Sequence, residues 1–162
     1  MGLVQRAYHM DVSNSVDVTD GEAVSGAVSA MLAPHYPGLD FPTMAQLFTD
    51  FTLLYDGAYP GYHGCEIRYH NSQHVLDVTL AMARLLEGHA RAVDDNARLD
   101  DTMVMAGIAA ALFHDSGYIR RLDDTRHSNG AAYTRIHVRR SAQFLAQYLP
   151  RVQLDSLVGI CT

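Results

Sequence analysis

Residues 102–117 read TMVMAGIAAALFHDSG, an apolar stretch that ends abruptly in an imidazole and a carboxylate. From Met103 to Phe113 the chain carries no polar side chain, the pattern of a helix buried on all sides. The run is well short of the ~20 residues that a membrane-spanning helix needs. His114 and Asp115 are therefore delivered side by side at the C-terminal lip of a core helix, with Gly117 as its stop. The helix dipole favours a histidine there and disfavours a carboxylate. Both groups are costly to bury unless paired or metal-bound, so the pattern asks for a cation.

Working outward, residues 69–74 read YHNSQH and put His70 and His74 four residues apart at a helix start, on one face. Neutral imidazole binds zinc and similar metals, so the pair can ligate an ion or divide the work between metal and proton transfer. Histidines also cap helices and satisfy core hydrogen bonds, which is the blander use of the same spacing. Val75, Val78, Ala81, Met82, Leu85 and Leu86 continue a helix from Asn71 to about Ala92. Upstream, Met44, Leu47, Phe48, Phe51, Leu54 and Tyr55 form another apolar face. Glu22 to Leu32 forms an earlier one, stopped by Pro34 and Pro37. Residues 1–20 read as a loose arm closing on a capping run, Asp17 to Asp20.

Residues 56–64, rich in glycine and aromatics, read as an ordered loop, and Leu122 to Asn129 as a polar one. Ala131 to Leu149 reads as one long amphipathic helix closed by Pro150, and Leu154 to Ile160 as the start of another. No strand pattern or fixed repeat competes. The expectation is an all-α bundle over residues 21–162 behind an N-terminal arm, a size that suits one core.

A net charge of −6 argues against a surface for nucleic-acid polymers, which are held by clustered Lys and Arg. The basic residues gather late, at Arg120, Arg121, Arg126, Arg135, Arg139 and Arg140. They form either a solvated helix face or local positive charge for a phosphate-bearing small molecule. Cys65 and Cys161 are too few for a disulfide framework, which fits a reducing cytoplasm. The N-terminus has no basic region leading into an apolar stretch, and Arg6 stands where a myristoylation signal carries Ser or Thr. Export, lipid anchoring and membrane insertion are not expected.

Tyr69 to Thr79, reading YHNSQHVLDVT, is similar to the signature of the class I 3',5'-cyclic nucleotide phosphodiesterases. Ala110 to Gly117 resembles the HD motif of the wider superfamily of metal-dependent phosphohydrolases, and the likeness runs in order over residues 65–160. It implies a compact helical bundle holding a pair of divalent ions, drawn from zinc, magnesium, manganese or iron. The implied substrate is a nucleotide or related small phosphoester. By motif, His74, His114 and Asp115 become metal ligands, Asp115 bridging both ions, and His70 becomes the general acid for the leaving alkoxide. Asn71 and Asp77 would fix the helix start and orient neighbours, while Tyr69, Tyr118 and His137 would border the substrate or support the ligands.

The chain departs from that pattern where Tyr118 replaces a further histidine and where Thr134 precedes His137 in place of a glutamate. His137 either faces the site or is an ordinary core or surface histidine. The family's last ligand, an aspartate, follows a run ending in Ala-Thr or Cys-Thr, so Cys161-Thr162 reads as stopping just before it, with Thr162 near the metal. His63, His89 and His127 read as loop or solvent histidines, and Asp123 and Asp124 as partners in exposed ion pairs. The activity implied is hydrolysis of a cyclic nucleotide phosphodiester. The same fold also hosts nucleotide phosphomonoesterases and alarmone hydrolases, and degenerate domains that bind a nucleotide or protein partner without turnover.

Overall fold

Polar side chains set the helix starts in the computed structural model, which describes residues 7–162. The readings made on Met1, Gly2 and Arg6 lie outside those residues. Asp20 accepts the Glu22 and Ala23 N–H groups and opens α1 (Gly21–Leu32). Asp40 accepts from Thr43 and, with Pro42 in the first turn, opens α2 (Phe41–Asp56). Asn71 and Asp100 do the same for α3 (Ser72–Ala92) and α4 (Asp101–Phe113). Such caps satisfy N–H groups that the helix itself leaves unpaired, typically at ~1 kcal/mol each. α5 (His137–Tyr148) and the short α6 (Val158–Cys161) follow. The fold is all-α; among the described residues the only β-type pairings are isolated bridges, Met10 with Asp17 and Tyr62 with Arg121.

The apolar run that opened the sequence reading becomes α4, the central helix, packed against α2, α3 and α6. Val104, Ile108, Ala109, Leu112 and Phe113 are wholly buried. At its C-terminal end Phe113 meets Phe51, Phe144 and Tyr148, with ring centroids 6.4, 5.4 and 4.9 Å away. This aromatic floor anchors the end of the helix immediately before His114. No helix among the described residues is long and apolar enough to cross a membrane.

The expected long helix over Ala131 to Leu149 is instead broken. Gly130–Tyr133 forms a 3-10 turn, α5 starts only at His137, and Leu149–Val152 is a second 3-10 turn. The cause lies in tertiary contact: a Cβ on Gly130 would sit 2.1 Å from the Tyr118 carbonyl oxygen, so the turn is pressed against that loop. Asn129 caps the turn, and Ile136 leaves helical geometry at φ −131°, ψ 3°. The last expected helix likewise begins as a 3-10 turn, Asp155–Leu157, before α6.

Residues 7–20 are not a loose arm. Asp11 is wholly buried and accepts backbone N–H groups from Ser13 at 3.0 Å, Ser15 at 2.7 Å and Val16 at 2.8 Å. The Ser13 hydroxyl and Arg84 of α3 also donate to it, and Val18 drops into the core. Burial alone would raise the Asp11 pKa, but hydrogen bonds from Ser13, Arg84 and Val16 hold the carboxyl well below the usual carboxylate range. A depressed carboxylate contributes stability that is present above its unfolded pKa and is lost as pH falls through the folded one. Asp11→Ala should therefore cost about 3 kcal/mol in urea unfolding at pH 7. Below about pH 4 the gap between variant and wild type should narrow; a gap that stays constant across that range would contradict this account of Asp11.

Candidate metal centre

The site is built where α4 stops. His114 is the C-cap, and the chain turns through Asp115 at φ −105°, ψ 4° into a 3-10 turn over Ser116–Tyr118. Two adjacent side chains of α5 clamp that turn. Ser141 Oγ donates to the His114 carbonyl at 2.6 Å and accepts the Gly117 N–H at 2.9 Å. Arg140 donates to the carbonyls of Gly117 at 2.7 Å and Ile119 at 3.0 Å while its guanidinium lies 3.5 Å from the centre of the Tyr133 ring. Gly117 is required by proximity, because a Cβ there would meet the His137 carbonyl oxygen at 1.9 Å.

The Asp115 carboxylate is 3% exposed and ringed by imidazoles. Its Oδ2 lies 2.7 Å from His70 Nδ1, 3.2 Å from His114 Nε2 and 3.6 Å from His74 Nε2, and its Oδ1 lies 3.8 Å from His137 Nε2. Among the described residues no Arg or Lys reaches it. His114 Nδ1 is 2.8 Å from the Ala111 carbonyl and His137 Nδ1 is 2.8 Å from the Thr134 carbonyl. A carbonyl can only accept, so each Nδ1 carries a proton and each ring turns its Nε2 toward the carboxylate. An Nε2 that faces a carboxylate needs a proton or a metal ion between them.

The ionisation of the cluster agrees. Burial would lower the His114 pKa, yet its hydrogen bonds to Asp115 and to the Ala111 carbonyl raise it, drawing positive charge into the gap. Burial lowers the His74 pKa, and His114 and His70 push the same way against the pull of Asp115, so His74 keeps a free lone pair at neutral pH. Asp115 is itself opposed by burial but held down at about 2 by the His114 and His70 hydrogen bonds. An ionised, buried carboxylate ringed by imidazoles that can give up a proton to a metal is a donor set suited to a divalent transition ion. The ligand atoms of His70, His74 and Asp115 lie within 4.8 Å of one another, close enough to hold one.

Each residue singled out in the sequence has a place here. His70, expected as a proton donor, also lies within the possible ligand set. Its Nδ1–H donates to Asp115, which leaves Nε2 toward the open side. His137 turns to the site rather than to solvent. Tyr118 is buried and stacks on His137 at 4.3 Å and on His70 at 4.7 Å, so it braces two imidazoles where the likeness would put a ligand. Asn71 caps α3 by accepting the His74 N–H at 3.0 Å, which fixes the backbone of a candidate ligand. Tyr69 is exposed, its ring 5.4 Å from that of His70 and 5.9 Å from that of His74, and Asp77 borders the same cleft as Tyr69.

The arginine cluster splits into structural roles. Arg120 forms a two-pronged pair with Glu66 at 2.9 and 2.8 Å, Arg121 pairs with Asp123 at 3.0 Å, and Arg140 is part of the clamp. Asp124 holds a turn by accepting from Tyr133, from the Arg126 N–H and from His127. Cys161 Sγ lies 3.6 Å from the Ala106 carbonyl. That contact sets the last turn against α4 at a residue eight positions before His114. Sequence reading missed the clamp of Arg140 and Ser141, since nothing local ties them to residues 114–119.

Comparison with known families, curated proteins and solved structures finds no match to this chain. The functional reading therefore rests on the cluster's own chemistry and on the motif likeness.

Gly117→Ala should push the Asp115 turn off α5 and lower unfolding stability by about 1–3 kcal/mol. Gly159→Ala, where an added Cβ meets nothing within 4 Å, should change it by less than about 0.5 kcal/mol. Equal urea midpoints for the two variants would show that the turn has room to move.

Proposed function

We propose that the chain is a metal-dependent phosphohydrolase acting on a nucleotide-like small phosphoester, with a cyclic nucleotide phosphodiester as the leading substrate class. The observation that carries the reading is the buried Asp115 carboxylate with the Nε2 atoms of His114 and His137 facing it and His74 beside it. His74, His114 and Asp115 would hold divalent metal, of which zinc, manganese, magnesium and iron are the candidates, in one or two sites. Such ions supply Lewis-acid stabilisation of charge at phosphorus and lower the pKa of an attacking water.

The protein's own groups do the rest. Asp115 stays ionised at neutral pH, because against the upward push of burial the hydrogen bonds from His114 and His70 hold its pKa at about 2. By accepting the His70 Nδ1–H it orients that ring, so His70 Nε2 can hold a proton for a departing alkoxide. Tyr118 limits rotation of the His70 ring by stacking on it at an interplanar angle of 24°. A second reading, a domain that binds its ligand without turnover, is favoured by the same Tyr118, which occupies the position of an expected histidine.

A screen of cyclic and linear nucleotides with added manganese, followed by phosphate and product analysis, tests the proposal. Hydrolysis should be detected, and His70→Ala should lower kcat about a hundredfold while metal content stays at the wild-type level. Parallel loss of metal and turnover would move His70 from proton donor to ligand. A wild-type protein that retains metal and hydrolyses none of the nucleotides would overturn the enzyme reading in favour of binding alone.

A further inference from the structure

A cleft of about 590 Å³ opens beside the His/Asp cluster, lined by Tyr8, Arg68, Tyr69, Gln73 and Asp77 and sharing His74 with the metal group. The shared ring matters: a ligand with one end at Asp115 has this cleft as the adjacent space for its other end. The volume is in the range that holds a small organic ligand. Its two aromatic residues come from distant parts of the chain and are left open to water, Tyr8 at 82% and Tyr69 at 78% exposure. Two large rings kept at the mouth of one cleft forgo the gain of burial, which a flat aromatic ligand would restore.

Tyr8 is not held there by chance of chain direction. Gln73 Nε2 donates to the Tyr8 carbonyl, and the Asp11 and Arg84 pair fixes the same segment to α3 three residues later. The polar complement also suits a base. Among the described residues no hydrogen bond uses the Gln73 side-chain oxygen, which can accept from an exocyclic amine. Arg68 is exposed and makes no ion pair among the described residues, which leaves a cation free for an anionic or carbonyl group.

We infer that this cleft is a nucleobase subsite, with Tyr69 as one wall and Tyr8, carried in by the N-terminal segment, as another. Tyrosine faces stack on any base, so the subsite selects nucleoside phosphates over simple phosphates without specifying one base sharply. The inference rests on the phosphohydrolase reading for the position of the phosphate, at the His74 and Asp115 end.

Calorimetric titration of the manganese-loaded full chain with adenosine 5'-monophosphate, ribose 5-phosphate and adenosine tests it. The nucleotide should bind about tenfold or more tightly than ribose 5-phosphate. Tyr8→Ala should remove most of that advantage while leaving ribose 5-phosphate affinity unchanged, Tyr69→Ala should remove most of it as well, and circular dichroism should confirm that both variants fold. Equal affinity of the two phosphates for the wild type would overturn the subsite while leaving the phosphohydrolase reading in place. Binding of adenosine lost in the tyrosine variants, with no binding of ribose 5-phosphate, would support the subsite and count against that reading. An advantage unchanged in Tyr8→Ala would overturn the role given to the N-terminal segment.

Discussion

A carboxylate buried to 3% exposure, facing imidazole nitrogens and no Arg or Lys among the described residues, is the constraint to which the rest of this fold answers. Burying an ionised group without compensation is expensive, and the surrounding elements are arranged to hold it there regardless. The apolar α4 drives Asp115 inward because its own surface has nowhere else to go. Phe51, Phe113, Phe144 and Tyr148 fix the end of that helix, and Arg140 and Ser141 hold the turn beyond it. Asn71 sets the start of α3, so His70 and His74 approach from the opposite side.

Proton and metal compete for the same gap in this arrangement. The upward shift of His114 and the downward shift of Asp115 are two views of one attraction, positive charge drawn toward a carboxylate shielded from water. A divalent ion meets the same demand with more charge and with directed bonds to nitrogen and oxygen, and it displaces the proton when it does so. Acidification would therefore work against a bound metal: protonated histidines lose the lone pairs that ligation needs, and burial lowers the His74 pKa so that this ring resists protonation.

The sequence carried the helices wherever a long apolar face met a short polar cap, as in α2, α3 and α4. It also carried the identity of the clustered residues, because His70, His74, His114 and Asp115 announce themselves by placing costly groups at helix ends. What it did not carry was set by contacts between distant segments. The amphipathic pattern of residues 131–149 is genuine, yet the backbone leaves helical geometry at Ile136, and the turn before it packs through Gly130 against Tyr118, a contact that periodicity does not reveal. The run of Asp11, Ser13 and Ser15 looked like an unstructured arm, although short polar side chains that bond their own backbone are also the material of a fixed turn, and Arg84 decides between the two. Tyr118 was legible as a departure from a pattern but not as the ring on which two histidines lean.

The central claim is that the imidazole-ringed carboxylate is a metal centre rather than a self-contained hydrogen-bond network. It is tested most directly by metal analysis of the purified chain after dialysis against manganese or zinc, compared with Asp115→Asn, which keeps the shape and removes the charge. The account predicts at least one tightly held equivalent in the wild type and an affinity lower by about a hundredfold or more in the variant. Equal metal content in the two proteins, or none in either, would contradict it.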